Sequence, residues 1–186
     1  MKKVFLLLAV STALFTACQT SPTKEGTEAG DTSRSDTTSA AGMGENKEER
    51  NKKIMMASFD AMASHNVNEM LKDCAPDCVD YGDGSMPPVK GKDSIAKMIN
   101  MWMDAFPDNK GNDLKFVADG DWVMVWGEWT GTFKSDFMGM KATNKSYKMK
   151  DVDIFKMNDA GQVIEHHNVQ SPNTMMRQVG MTPPKK

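Results

Sequence analysis

The chain has 186 residues, 25 acidic and 23 basic, for a formal net charge of −2 and a pI near 5.9. That balance excludes the basic footprint of a nucleic-acid binder, and a 39 % hydrophobic, 26 % charged composition is ordinary for a globular protein. The length allows one domain plus extensions, and the 18 methionines are the one compositional oddity.

Lys2 and Lys3 precede an apolar run from Val4 to Phe15, interrupted only by Ser11 and Thr12. The run is shorter than the roughly 20 residues a membrane span needs and fits the core of a signal peptide. It closes on Leu14-Phe15-Thr16-Ala17-Cys18, which resembles the lipobox of bacterial lipoproteins, with Phe15 where leucine is commoner. The resemblance implies removal of residues 1–17 and acylation of Cys18, which would anchor the chain through many buried methylenes. An ordinary secretory peptide ending at Ala17 is the other reading, and both export the protein. Gln19 rather than aspartate follows Cys18, which by resemblance to lipoprotein sorting points to the outer membrane of the cell envelope. Residues 18–47 continue as a stretch rich in Ser, Thr, Gly and charge without an aromatic residue. Such a stretch cannot bury enough apolar surface to offset its chain entropy, so it reads as a disordered tether.

A single domain is expected over 48–182. Met55, Phe59 and Met62, beside Ile54, Ser58 and Ala61, recur at helical spacing and predict a first helix. His65 at its end suits a cap. Asn66 with Glu69 three residues on predicts a short second helix through Leu71. Cys78 to Tyr81 reads as a strand after Pro76, and Gly82, Gly84, Pro87 and Pro88 as a loop. Lys92 opens a third helix with Ile95, Met98, Ile99, Trp102 and Phe106 on its apolar side, stopped by Pro107. The period then changes to two, predicting strands at 113–119, 122–133, 145–157 and 162–170. Residues 173–180 close the domain as a short helix or coil. Helices first and strands afterwards indicate an α+β domain with a mainly antiparallel sheet.

That order of elements resembles the NTF2-like superfamily. Ala75-Pro76-Asp77-Cys78-Val79 is similar to its first-strand motif, and Gly91-Lys92-Asp93-Ser94-Ile95 to the start of its third helix. Val152-Asp153-Ile154-Phe155 followed by Gly161-Gln162-Val163-Ile164-Glu165 is similar to its last hairpin, and Gln178-Val179-Gly180 to the tail of SnoaL-like proteins, the branch related to polyketide cyclases and ketosteroid isomerases. The resemblance implies a cone, with N-terminal helices packed on a curved sheet around one concave pocket, the default place for a ligand.

Carrying over the hairpin motif points Asp153 inward, with Asp151 and Phe155 beside it. The expected inward set then includes Met124, Trp126, Glu128 and Thr130 on one neighbouring strand and His166, Asn168 and Gln170 on the other. Tyr81 and Trp102 are expected at the mouth. Val123, Val125, Trp129 and Phe133 fall on the opposite face, where the resemblance implies a homodimer contact. A one-residue slip reverses the assignment. Asp153, His166 and Tyr81 form the expected acid/base group, with Trp102, Trp126, Glu128, Asn168 and Gln170 as ligand-binding residues. Two functions remain open. The first is a non-catalytic pocket for a small apolar or amphipathic molecule, in which Asp153 and His166 satisfy each other. The second is a SnoaL-like isomerase, cyclase or hydrolase using the pair to move a proton. Departures from enzymatic relatives favour the first: Phe59 and Tyr81 occupy positions held in ketosteroid isomerases by a tyrosine and the general base, and Asn168 and Ser171 stand where SnoaL-like cyclases carry acids.

Cys74 and Cys78 form an even pair in an oxidising compartment, so the choice is between a small-loop disulfide and two buried thiols. Without a nearby histidine they do not complete a zinc site. His166 and His167 point to opposite faces of a strand and cannot share a metal. The methionines read as core filler rather than copper ligands. No metal, cofactor or nucleic-acid partner is expected. The expected partners are a small molecule and, through Cys18, a membrane.

Overall fold

The computed structural model describes residues 46–181. The signal peptide, Cys18 and nearly all of the tether lie outside the described residues. Helix α1, Lys47–Ala63, starts where the Asn46 side chain accepts the Glu48 N–H, with Glu48 and Glu49 in the first turn at the positive end of the helix dipole. It buries Asn51, Met55, Phe59 and Met62, one stripe at helical spacing. Helix α2, Val67–Met70, is capped by Asn66, whose side chain accepts the Glu69 N–H. His65, expected as a cap, takes a φ of 56°, and its N–H donates to the Met62 carbonyl.

Strands β1, Cys74–Asp80, and β2, Val89–Lys90, pair antiparallel. Helix α3, Lys92–Ala105, follows Gly91, which turns the chain at a φ of 85°. Strands β3, Lys110–Asp119, β4, Trp122–Thr132, β5, Ser146–Met157, and β6, Val163–Asn168, complete one six-stranded sheet in the order β2-β1-β6-β5-β4-β3. All neighbours run antiparallel except β1 and β6. The architecture is the expected α+β one, helices packed on a curved, mainly antiparallel sheet.

Two expectations about strands change. Residues 74–77, including Pro76, belong to β1, because the strand bulges against β6 and a bulge tolerates a residue with no N–H. Val89–Lys90, for which no strand is expected, forms a two-residue strand held by Val79 and Asp80. The chain's end is settled too. Ser171 caps helix α4, Pro172–Val179, Pro172 occupies its first turn, and Gly180 ends it in the left-handed region. Gln178 exchanges hydrogen bonds with the Lys148 backbone, its Oε1 accepting the N–H and its Nε2 donating to the carbonyl. This covers the edge of β5 beyond the end of β6, an edge that would otherwise invite pairing with another chain.

The core lies between the helices and one face of the sheet. Along β4 every odd residue is buried, with Val123 and Val125 fully inaccessible, as is Phe133 just past its end. Phe59 reaches from α1 onto Phe116, Trp129 and Phe155 with ring centroids 5.5 to 5.9 Å apart. Gly127 leaves room for a close approach: a Cβ there would press on the Leu114 side chain and stand 3.1 Å from the Asn112 carbonyl oxygen, at the bulge between Asn112 and Lys115. Among the described residues no helix is long and apolar enough to cross a membrane.

Candidate functional site

Three adjacent strands bring one histidine between two carboxylates. In register, Asp80 of β1 lies opposite His166 of β6, which lies opposite Phe155 of β5, and Asp153 lies opposite Asn168. Alternation along each strand places the four polar side chains on the helix-facing side. His166 Nδ1 lies 2.9 Å from Asp80 Oδ1, and Nε2 lies 3.3 Å from Asp153 Oδ1. Asn168 Nδ2 donates to the same Asp153 oxygen at 2.5 Å, and the Gly82 N–H donates to Asp80 Oδ1 at 2.9 Å. The imidazole stacks on the Phe155 ring, 4.7 Å between centroids and 21° from parallel.

Both ring nitrogens can donate at once only in the imidazolium form. Burial pushes His166 down, but the hydrogen bonds and charges of Asp153 and Asp80 outweigh it and hold the group up at about 9. Burial would likewise raise Asp80, and the bond to His166, its charge and the Gly82 N–H carry its carboxyl below the usual range instead. Asp151, next on that face of β5, is raised, chiefly by burial, although the Gln170 and Val152 N–H groups bond to it. The cluster is recessed rather than sealed: the side chains of His166, Asp80 and Asp153 keep 23, 14 and 13 % of their surface exposed.

The remaining expected residues are distributed differently. Gln170 serves Asp151 through its backbone N–H, while its side chain accepts from Thr174. Trp102 stacks on Phe106 at 4.3 Å and meets Phe137 edge-on, in the packing of α3. Trp126 and Glu128 lie on the outer face, a correction of the expected inward set. Trp126 is half exposed beneath the Lys150 ammonium, and Glu128 pairs with Lys148 at 2.7 Å. The set expected to meet a second subunit, Val123, Val125, Trp129 and Phe133, is covered by the chain's own helices and sheet. The parity of β4 is therefore one residue out from the expectation, because Val125, not Trp126, stands opposite Asp153.

Tyr81 also falls on the outer face, where it stacks flat on His167, 4.9 Å and 6°. Asp80 is not among the residues the sequence singles out, yet it occupies the place beside His166. The available signal was its spacing from Cys78, an apolar residue two positions earlier on the same strand, which the structure buries. Cys74 and Cys78 are thiols here, and Cys74 is pushed up to about 12 by burial and then by Cys78. Among the described residues no group of three His, Cys, Asp or Glu side chains is placed to hold a metal ion.

A cleft of about 190 Å³ opens between α1 and β3, lined by Met56, Phe59, Asp60, Met62, Leu114 and Phe116 among others. Phe59 forms its inner wall and packs on Phe155, the ring that carries His166. One unbroken aromatic path thus joins the cleft to the charged cluster.

The sequence model of the SnoaL-like polyketide cyclases matches residues 53–179. No curated protein is matched by sequence. Among solved structures, a candidate polyketide cyclase from Xanthomonas campestris pv. campestris is 19 % identical over 72 % of this chain and 99 % of its own, with a TM-score of 0.66. A candidate SnoaL-like polyketide cyclase from Jannaschia sp. CCS1 is 20 % identical over 76 % of this chain and 100 % of its own, also at 0.66. AclR, a candidate hydroxylase from Streptomyces galilaeus, is 23 % identical over 73 % and 99 %, at 0.62. At these identities the likeness is one of fold, the NTF2-like cone.

Proposed function

The chain belongs to the SnoaL-like polyketide cyclase family, and on that premise we propose that it is an exported lipoprotein that binds a small apolar or amphipathic molecule without turning it over. The lipobox-like run ending at Cys18 supports the anchor, in the outer membrane of a bacterial envelope, and residues 19–47 supply the tether. One observation carries the absence of turnover: both nitrogens of His166 are committed to carboxylates. An imidazolium held at about 9 has no lone pair to accept a proton at neutral pH, whereas a general base works best with a pKa near the operating pH. Asp153, the other half of the expected acid/base pair, already serves His166 and Asn168 through one oxygen.

Native mass spectrometry of the protein released from envelopes tests this. Wild type and Asp153→Asn are expected to carry the same small molecule at similar occupancy. If the variant instead accumulates a compound differing in mass or chromatographic retention from the wild-type one, turnover occurs and the reading fails. The raised carboxyl of Asp151 beside Asp153 is the observation that favours the competing acid/base reading, since buried carboxyls of that kind gather at catalytic sites.

A second copy of the chain covers the outer face of the sheet. Met124, Trp126 and Val117 are 44, 42 and 61 % exposed there, and Val117 of β3 lies opposite Met124 of β4, so the apolar side chains adjoin across the two strands. Trp126→Glu is expected to convert a dimer to a monomer on size-exclusion chromatography. A monomeric wild type at micromolar concentration would remove this part of the proposal.

A further inference from the structure

The cleft between α1 and β3 is walled by methionine, phenylalanine, leucine, alanine and glycine, and Asp60 is the only charged residue that lines it. Asp60 stands four residues after Met56 and one after Phe59, on the edge of the stripe that α1 buries, where the helix turns from core to water. The residue is exposed, and its backbone carbonyl accepts the Ser64 N–H and hydroxyl. Among the described residues no cation pairs with its carboxylate. Its place in the helix makes that charge costly. Helix α1 ends at Ala63, so Asp60 lies in the last turn, at the negative end of the aligned peptide dipoles, and no basic side chain occupies that turn. Glu48 and Glu49, at the opposite end, are attracted by the same dipole that repels Asp60.

The cleft opens against this same turn, since Met62 and Ala63 line it as well. Carboxylate and helix terminus therefore present one sign of potential to whatever enters. Behind Phe59, His166 shares its single positive charge between Asp80 and Asp153, so the interior offers no cation to offset Asp60. The walls suit the same sign. Phe59 and Phe116 meet edge to face at 5.5 Å, and aromatic faces attract cations. We propose that this cleft is the ligand site and that it selects a cationic amphipathic molecule, an alkyl- or arylammonium whose apolar body lies against Met56, Phe59 and Leu114 and whose ammonium pairs with Asp60. An anion on the same body meets repulsion, and a neutral molecule gains only the apolar wall. This rests on the ligand-binding reading above and supplies the sign of the charge that the ligand must carry.

Three probes share one chain and differ only in the head: hexylammonium, hexan-1-ol and hexane-1-sulfonate. Their binding to the full chain is followed by NMR through the ¹³C-labelled Met56 methyl group, assigned by Met56→Leu, and through the backbone amide of residue 60. Hexylammonium is expected to bind more tightly than hexane-1-sulfonate and to lose about fivefold in affinity in Asp60→Asn, while hexan-1-ol binds both proteins alike. The variant is expected to melt no lower than the wild type, because it removes an acid from the negative end of a helix, so lost affinity is not lost fold. If the probes shift these signals but Asp60→Asn leaves hexylammonium binding unchanged, the cleft binds without reading charge, and the proposal fails alone. If the sulfonate binds the wild type as tightly as the ammonium does, it fails likewise. If no probe shifts either signal, the cleft is not the site and the proposal fails; the small molecule carried by the wild type in the native mass spectrum then decides separately whether the binding reading stands.

Discussion

Raising the pH from about 6.5 to about 9 will destabilise the folded chain by up to about 3 kcal/mol, and His166→Gln will lose most of that slope. The sign follows from which state holds the proton more tightly. His166 titrates near 6.5 in a free chain and at about 9 between its two carboxylates, so the fold binds the proton more strongly. The stabilisation is complete below 6.5 and is lost as the pH rises through 9. Asp80 acts on the other limb: its lowered carboxyl contributes above its ordinary 3.8 and stops contributing as the pH falls further. Asp151 opposes it there, since a raised carboxyl favours the fold as protons are added. The raised Cys74 and Tyr147 groups act at and above the top of the window, so the interval from 6.5 to 9 reports chiefly on His166. Urea midpoints across that interval measure it directly. The variant starts less stable because two carboxylates then face each other without a cation, but its midpoint is expected to stay nearly level. A level wild-type curve would mean that the imidazole is not held as a cation.

The same cluster shows what local sequence pattern reveals and what it leaves hidden. Asp153, Phe155, His166 and Asn168 are legible as one face because a tight turn at Asn158–Gly161 ties β5 to β6 and period-two alternation does the rest. Asp80 is hidden because its neighbour lies 86 residues away, across a parallel pairing interrupted by a bulge. Neither has a local trace. The parity of β4 is hidden for another reason: both faces of the strand carry large apolar side chains, Met124 and Trp126 on one, Val123, Val125 and Trp129 on the other. Hydrophobic alternation cannot choose between two apolar faces. The glycines could have decided it, since Gly127 and Gly131 sit in phase with Val125 and Trp129 and are tolerated where Leu114 and Tyr147 press against the backbone. The helices were the easy part because Met55, Phe59 and Met62, or Ile95 and Trp102, leave only one face to bury.

Phe106→Ala will cost about 4 kcal/mol, a large part of the total for a domain of this size. Phe106 closes α3, is fully inaccessible, and stacks on Trp102 at 4.3 Å and Phe133 at 5.3 Å, with Tyr147 edge-on at 5.7 Å. It therefore joins the end of the helix to the end of β4 and the start of β5. The neighbouring rings cannot all collapse into the space, because Tyr147 is tethered by its hydroxyl to Asn109 and Phe133 by backbone bonds to Lys145 and Asn144. A residual cavity is the consequence, and its volume adds to the lost transfer energy. Calorimetry should show the melting temperature falling by on the order of 15 °C. Met86→Ala, in the exposed loop between β1 and β2, should change it by little more than measurement error. Six residues of β5 separate Tyr147 from Asp153, roughly 20 Å of strand. The titration of His166, followed by NMR below the melting temperature, should accordingly be unchanged in Phe106→Ala. If the variant melts like the wild type, the aromatic stack is not where α3 gains its hold on the sheet. If it shifts the His166 titration, the two ends of β5 are coupled, and the charged cluster depends on core packing as well as on its own hydrogen bonds.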